Sequence, residues 1–127
     1  MEMKSALYAA ASIASVASYA LHAFGGGALM ARPFYRKAGA EGISTHAFRY
    51  CWHFVSAAVL AMSAGFAFLS TEPGNTPFGL FLTVSAASFC GLSVAVSAIE
   101  RAPALKSPPT TLFALIAAIG CAALLVK

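Results

Sequence analysis

Apolar residues run through this chain in four long blocks, at about 5–24, 47–69, 77–98 and 110–126, and polar residues collect between them. Each block is roughly 17–23 residues long, and a helix rising about 1.5 Å per residue needs roughly 20 to cross a hydrocarbon layer of about 30 Å. Membrane-spanning strands would need strict alternation over about 10 residues, and the blocks do not alternate. The pattern predicts an all-α protein, a bundle of four transmembrane helices forming one domain over residues 1–127.

The breaks carry turn chemistry. Gly25-Gly26-Gly27 is expected to end the first helix, and Pro33 to interrupt the segment beyond it. Glu72-Pro73-Gly74-Asn75 reads as a tight turn. Pro103 and Pro108-Pro109 mark the third connection, with Thr110 or Thr111 able to cap the last helix. The first block is too long, and its flanks too weak, for a cleaved signal; it reads as a retained span.

Composition agrees. The 127 residues are 60% hydrophobic and 9% charged, with a mean hydropathy of +0.80, whereas soluble domains carry about 25% charged residues. That excludes an ordinary soluble enzyme and a disordered chain. The net charge of +4 points to topology and lipid headgroups, with no nucleic acid implied. Arg32, Arg36, Lys37, Arg49, Arg101 and Lys106 border one side of the four spans, against Lys4 and Lys127 on the other. The positive-inside rule therefore predicts an inner or plasma membrane protein with both termini outside the cytoplasm. Cys51, Cys90 and Cys121 fall inside apolar blocks and read as small apolar fillers.

Helices associate in lipid by close backbone approach, which small residues permit. Gly79, Thr83, Ala87, Gly91 and Ala95 form such a stripe at four-residue spacing in the third helix. Ala10, Ala14 and Ser18, then Ala57, Ala61 and Gly65, then Ala114, Ala118 and Ala122 are its counterparts in the others.

All three histidines fall toward the basic side. His46, Arg49 and His53 share one face at the start of the second helix, and His53 should lie within the apolar zone, facing inward. His22 ends a small-residue stripe and is expected to face inward too. His22 and His53 thus form the sharpest candidate site, with His46 and Arg49 beside it. It could hold a metal or a b-type haem, or handle a proton or small solute. The blander reading is that each imidazole bonds a carbonyl or serine at the wet end of the bundle. No motif demands a cofactor or names a metal ligand set.

The connection after the first helix interleaves Leu29, Met30, Phe34 and Tyr35 with Arg32, Arg36 and Lys37. Such a segment suits the headgroup layer, either as a plain topogenic loop or as a patch for anionic lipid or a partner. The triple glycine lacks the lysine pattern of a phosphate loop. The chain has no Asp, and Glu2, Glu41, Glu72 and Glu100 lie at helix ends or in loops, which disfavours a carboxylate-based pump. No catalytic grouping has readable spacing. The leading expectation is a non-enzymatic structural or accessory subunit working through helix contacts, within a larger membrane complex or a homo-oligomer.

Ala23-Phe24-Gly25-Gly26-Gly27-Ala28-Leu29, followed by Arg49-Tyr50-Cys51-Trp52-His53, resembles the small four-helix membrane family of unknown function typified by bacterial YgdD-type proteins. In that family an Ala-Phe-Gly-x-His-Gly-Leu run follows the first helix, and a histidine closely follows Arg-Tyr. Here Gly27 stands at the family's first histidine, and His53 is one residue closer to Arg-Tyr. The resemblance implies an integral membrane protein and no particular activity.

Overall fold

A computed structural model describes residues 1–37 and 43–126 of the chain. Among these residues the architecture is all-helical: α1 (Glu2–Ala20) continues through a π-helical segment (Leu21–Ala31) into α2 (Arg32–Lys37), followed by α3 (Ile43–Thr71), α4 (Thr76–Ile99) and α5 (Pro108–Leu125). Four stretches are long and apolar enough to cross a membrane: Glu2–Arg36, Thr45–Thr71, Thr76–Ile99 and Pro108–Leu125. Large apolar side chains such as Ile13, Phe54, Leu60, Phe81, Leu92 and Leu115 point outward, as lipid-facing positions do.

Gly25-Gly26-Gly27 does not end the first helix, contrary to expectation. The helix widens instead, and the Arg32 backbone N–H reaches the Gly27 carbonyl five residues back. A chain end within the apolar layer would leave backbone groups without partners. Widening keeps most of them bonded, and glycine accepts the altered geometry. Pro33 is the second residue of α2, and because the helix runs on from the π-helical segment without a break, its missing N–H takes one donor out of the backbone ladder.

The turn after α3 is as predicted. The Asn75 side chain accepts a hydrogen bond from the Phe78 N–H at 3.3 Å, and Pro77 sits in the first turn of α4. The last helix begins earlier than expected: Ser107 is its N-cap and Pro108-Pro109 form its first turn, the positions where proline costs nothing. Thr110, expected as a cap, is instead buried in the helix interface. At the end of α4, Arg101 takes a positive φ of 54°. The Ala102 N–H bonds the Ser97 carbonyl at 2.8 Å and the Arg101 N–H that of Ala98 at 3.2 Å, a Schellman cap with arginine where glycine is usual.

The helices form two antiparallel hairpins, α1 on α3 and α4 on α5, joined side by side through α1 and α5. In the long helices the buried seam residues recur at steps of three and four, with Leu82 in α4 and Ile116 in α5 buried beside them. They are Tyr8, Ala11, Ser15 and Ser18 in α1, and Val59, Met62, Phe66 and Leu69 in α3. In α4 the series Gly79, Thr83, Ala86, Cys90, Ser93, Ser97 is buried or half-buried throughout. Thr110, Phe113, Gly120 and Ala123 serve α5. A mean repeat near 3.5 is the seam of left-handed bundles.

The small-residue stripes expected from four-residue spacing are correspondingly corrected. Each four-residue step overshoots a turn by about 40°, so a stripe of five rotates off the interface. Gly79 and Thr83 are buried, while Ala87, Gly91 and Ala95 are exposed. Ala57 and Ala61, like Ala114, Ala118 and Ala122, also face outward, whereas Ala14 is half-buried and Ser18 and Gly65 are buried as expected. Where the seam does bring glycine in, the fit is tight. A methyl group on Gly120 would collide with Thr83 of α4, and one on Gly79 with the hydroxyl of Tyr8 in α1.

Most serine and threonine hydroxyls of the seams are bonded within the bundle, whereas the buried Tyr8 hydroxyl has no partner among the described residues. Ser12 Oγ donates to the Ser63 carbonyl at 2.9 Å, and Ser63 Oγ returns a bond to the Ser12 carbonyl at 3.2 Å. In the second hairpin, Ser93 Oγ lies 2.7 Å from Thr110 Oγ1. Ser15, Ser18 and Thr83 satisfy their hydroxyls on the carbonyl one turn back in their own helix.

Candidate functional site

The antiparallel register of α1 on α3 pairs Tyr8 with Phe66 and Ser12 with Ser63. Carried one way along the seam, it sets His22 opposite Trp52. The two rings stack with centroids 4.1 Å apart and planes 20° from parallel. His22 Nε2 lies 3.2 Å from the Trp52 carbonyl oxygen. The imidazole thereby bridges the start of the π-helical segment to α3.

Trp52 continues the contact on both sides. A methyl group on Gly26 would come within 2.8 Å of the edge of the Trp52 indole, whereas one on Gly25 or Gly27 would meet nothing within 4 Å. Only the middle glycine is needed for this approach. Phe48, one turn below Trp52, stacks on it at 5.9 Å and on Phe34 of α2 at 4.2 Å. Tyr35 meets Phe48 edge-on at 5.7 Å, and the Arg49 guanidinium lies 4.6 Å over the Tyr35 ring. An aromatic ladder, Phe34/Tyr35–Phe48–Trp52–His22, thus ties α2 and the π-helical segment to the start of α3.

The structure separates the predicted histidine pair. His22 is half-buried against α3, but its partner is Trp52; His53, the next residue, is exposed. Neighbouring helical residues point about 100° apart, so a helix that turns Trp52 toward His22 turns His53 away. The inward placement expected for His53 is therefore corrected. His46 and Arg49 are exposed with it: the three do share a face, as their spacing predicts, and it is an outward one. Among the described residues, no group of three His, Cys, Asp or Glu side chains comes together in a way that could hold a metal.

Of the basic patch, Arg32 and Arg36 are exposed one turn apart on α2. The Lys37 side chain, Glu41 and Lys127 lie outside the described residues. Arg32 and Arg36, with Ala28 and Pro33, border an open depression of about 360 Å³. Cys51 and Cys121 are exposed, and Cys90 is half-buried with its thiol 3.5 Å from the Thr110 carbonyl.

In the sequence Trp52 stands out only as part of the Arg49–His53 run, and Gly26 only as part of a helix stop. The signal that could have found them is the register itself. With Ser12 opposite Ser63, residues whose numbers sum to about 74 face each other, which selects Trp52 for His22. Comparison with protein-family models, with curated proteins and with solved structures gave no match to this chain.

Proposed function

We propose that this protein is a small multipass membrane subunit, non-enzymatic, that works through helix contacts with a larger membrane complex or with copies of itself. The observation that carries this reading is the outer face of α4. Ala87, Gly91 and Ala95 are exposed there at four-residue spacing, and a methyl group on Gly91 would meet nothing within 4 Å. Glycine inside a helix costs about 1 kcal/mol relative to alanine, and the bundle's own packing does not use this one. A smooth strip of this kind admits a neighbouring helix to close backbone approach. The likeness to YgdD-type membrane proteins is compatible with the reading and adds no activity to it.

The test is purification of the full chain in mild detergent, with its native mass compared with the 13.0 kDa of one chain. A defined assembly or a co-purifying membrane protein is expected, and Gly91→Leu should dissolve it while helical content and melting stay unchanged. A strictly monomeric wild-type protein without partners overturns the reading. The orientation proposed with it, both termini outside the cytoplasm, rests on the basic residues gathered at one end. Reporter fusions at each terminus test it.

A second reading keeps His22 as a proton, solute or cofactor ligand, favoured by its half-buried place on Trp52. In the haem version His22 would hold the iron without His53, which faces away. A Soret band that His22→Ala abolishes would support it, and a colourless, metal-free preparation would sink it.

A further inference from the structure

The π-helical segment hands over to α2 at a point where the backbone ladder has a gap. Arg32 gives its N–H to Gly27, five residues back. The next residue in that ladder is Pro33, which has no N–H to give to the carbonyl of Ala28. Ala28 and Pro33 border the same open depression as the exposed guanidinium side chains of Arg32 and Arg36. Two cationic forks and an uncommitted carbonyl acceptor therefore surround one space of about 360 Å³.

Its setting in the fold decides what could fill it. The first span is 35 residues long, and roughly 20 suffice to cross the hydrocarbon layer. Arg32 and Arg36 thus fall beyond the apolar zone, at headgroup depth. Below them on the same segment, Leu29 and Phe24 are 80% and 74% exposed, apolar surface at the level where acyl chains begin. Phe34 and Tyr35, stacked on Phe48, hold α2 against α3, so the arginine pair is presented by a braced helix.

We propose that Arg32 and Arg36 form a site for the headgroup of an anionic phospholipid that also carries a hydroxyl donor. The guanidinium groups take the phosphate oxygens. The hydroxyl donates to the Ala28 carbonyl that Pro33 leaves free. The acyl chains lie along Leu29 and Phe24.

The full chain is reconstituted in phosphatidylcholine nanodiscs containing either phosphatidylglycerol or phosphatidylmethanol, which has the same charge and no headgroup hydroxyl. Lipid retained on the protein is then counted by native mass spectrometry. The wild type should retain phosphatidylglycerol above its share of the bilayer, and several-fold better than phosphatidylmethanol, the worth of about one hydrogen bond. Arg32→Gln with Arg36→Gln should lower retention about tenfold, whereas Lys106→Gln, at the same end of the bundle, should not. Pro33→Ala supplies the missing N–H, so it should erase the preference for phosphatidylglycerol and keep retention of both anionic lipids. Equal loss in Lys106→Gln would overturn the site in favour of a diffuse basic surface. Wild-type retention at the bulk ratio, or displacement by millimolar glycerol phosphate, would also overturn it, the latter by showing a site for a free anion.

Discussion

Ser12 of α1 and Ser63 of α3 each donate a hydroxyl hydrogen to the other's backbone carbonyl, at 2.9 and 3.2 Å. The exchange fixes both the distance and the register of the first hairpin at one level. Interhelical hydrogen bonds in a bilayer are worth roughly 1 kcal/mol. Ser12→Ala and Ser63→Ala should each cost about that much, and the double variant about the sum, because each hydroxyl donates to a backbone carbonyl that the other substitution leaves in place. Reversible unfolding in micelles measures the cycle, and a single variant that costs as much as the double would contradict two separate bonds.

Glycines of the seam and of the outer face should respond oppositely to the same substitution. Gly120→Ala drives a methyl group into Thr83 and is expected to cost about 1–3 kcal/mol. Gly91→Ala meets open space and should be neutral or stabilising by up to about 1 kcal/mol. Melting of the two variants in one detergent decides the matter.

The chain has a single tryptophan, so indole emission reports the surroundings of Trp52, His22 and Phe48 among them. Gly26→Val should change the near-ultraviolet dichroism and the emission of Trp52, since its side chain must displace the indole edge. Gly25→Val and Gly27→Val, with nothing within 4 Å of the added carbon, should leave those signals as they are. Equal effects at all three positions would mean that the triple glycine matters through helix geometry and not through contact with Trp52.

Arg101 holds a left-handed backbone conformation that costs a residue with a side chain about 1–2 kcal/mol. Arg101→Gly should therefore stabilise the end of α4 by about 1 kcal/mol, and Arg101→Val should destabilise it. Hydrogen exchange at Ala102 and its neighbours is the local readout.

The spans were legible because length and hydropathy act through the solvent, without reference to neighbours; the Glu72–Asn75 turn was legible because proline, glycine and asparagine act locally. Interface phase was not. Whether Ala87 or Ala86 faces a partner depends on a drift of about 40° per four-residue step, which small-residue spacing alone leaves open in an Ala-rich helix. His53 failed for a related reason: inward or outward is set by which neighbour wins the seam, and the bulk of Trp52 wins it. Gly25-Gly26-Gly27 misled because a helix stop in water is not one in lipid, where unbonded backbone is costlier than an unusual helix.

The two hairpins meet mainly through α1 and α5, and only the four-residue turn Glu72–Asn75 joins their chains. Each hairpin carries its own polar clasp, Ser12 with Ser63 and Ser93 with Thr110. During synthesis the first pair can therefore enter the bilayer with its hydroxyls satisfied before the second pair is made. Biogenesis becomes the docking of two finished halves, and a gene cut at the Glu72–Asn75 turn should still yield the assembled protein when both pieces are expressed together.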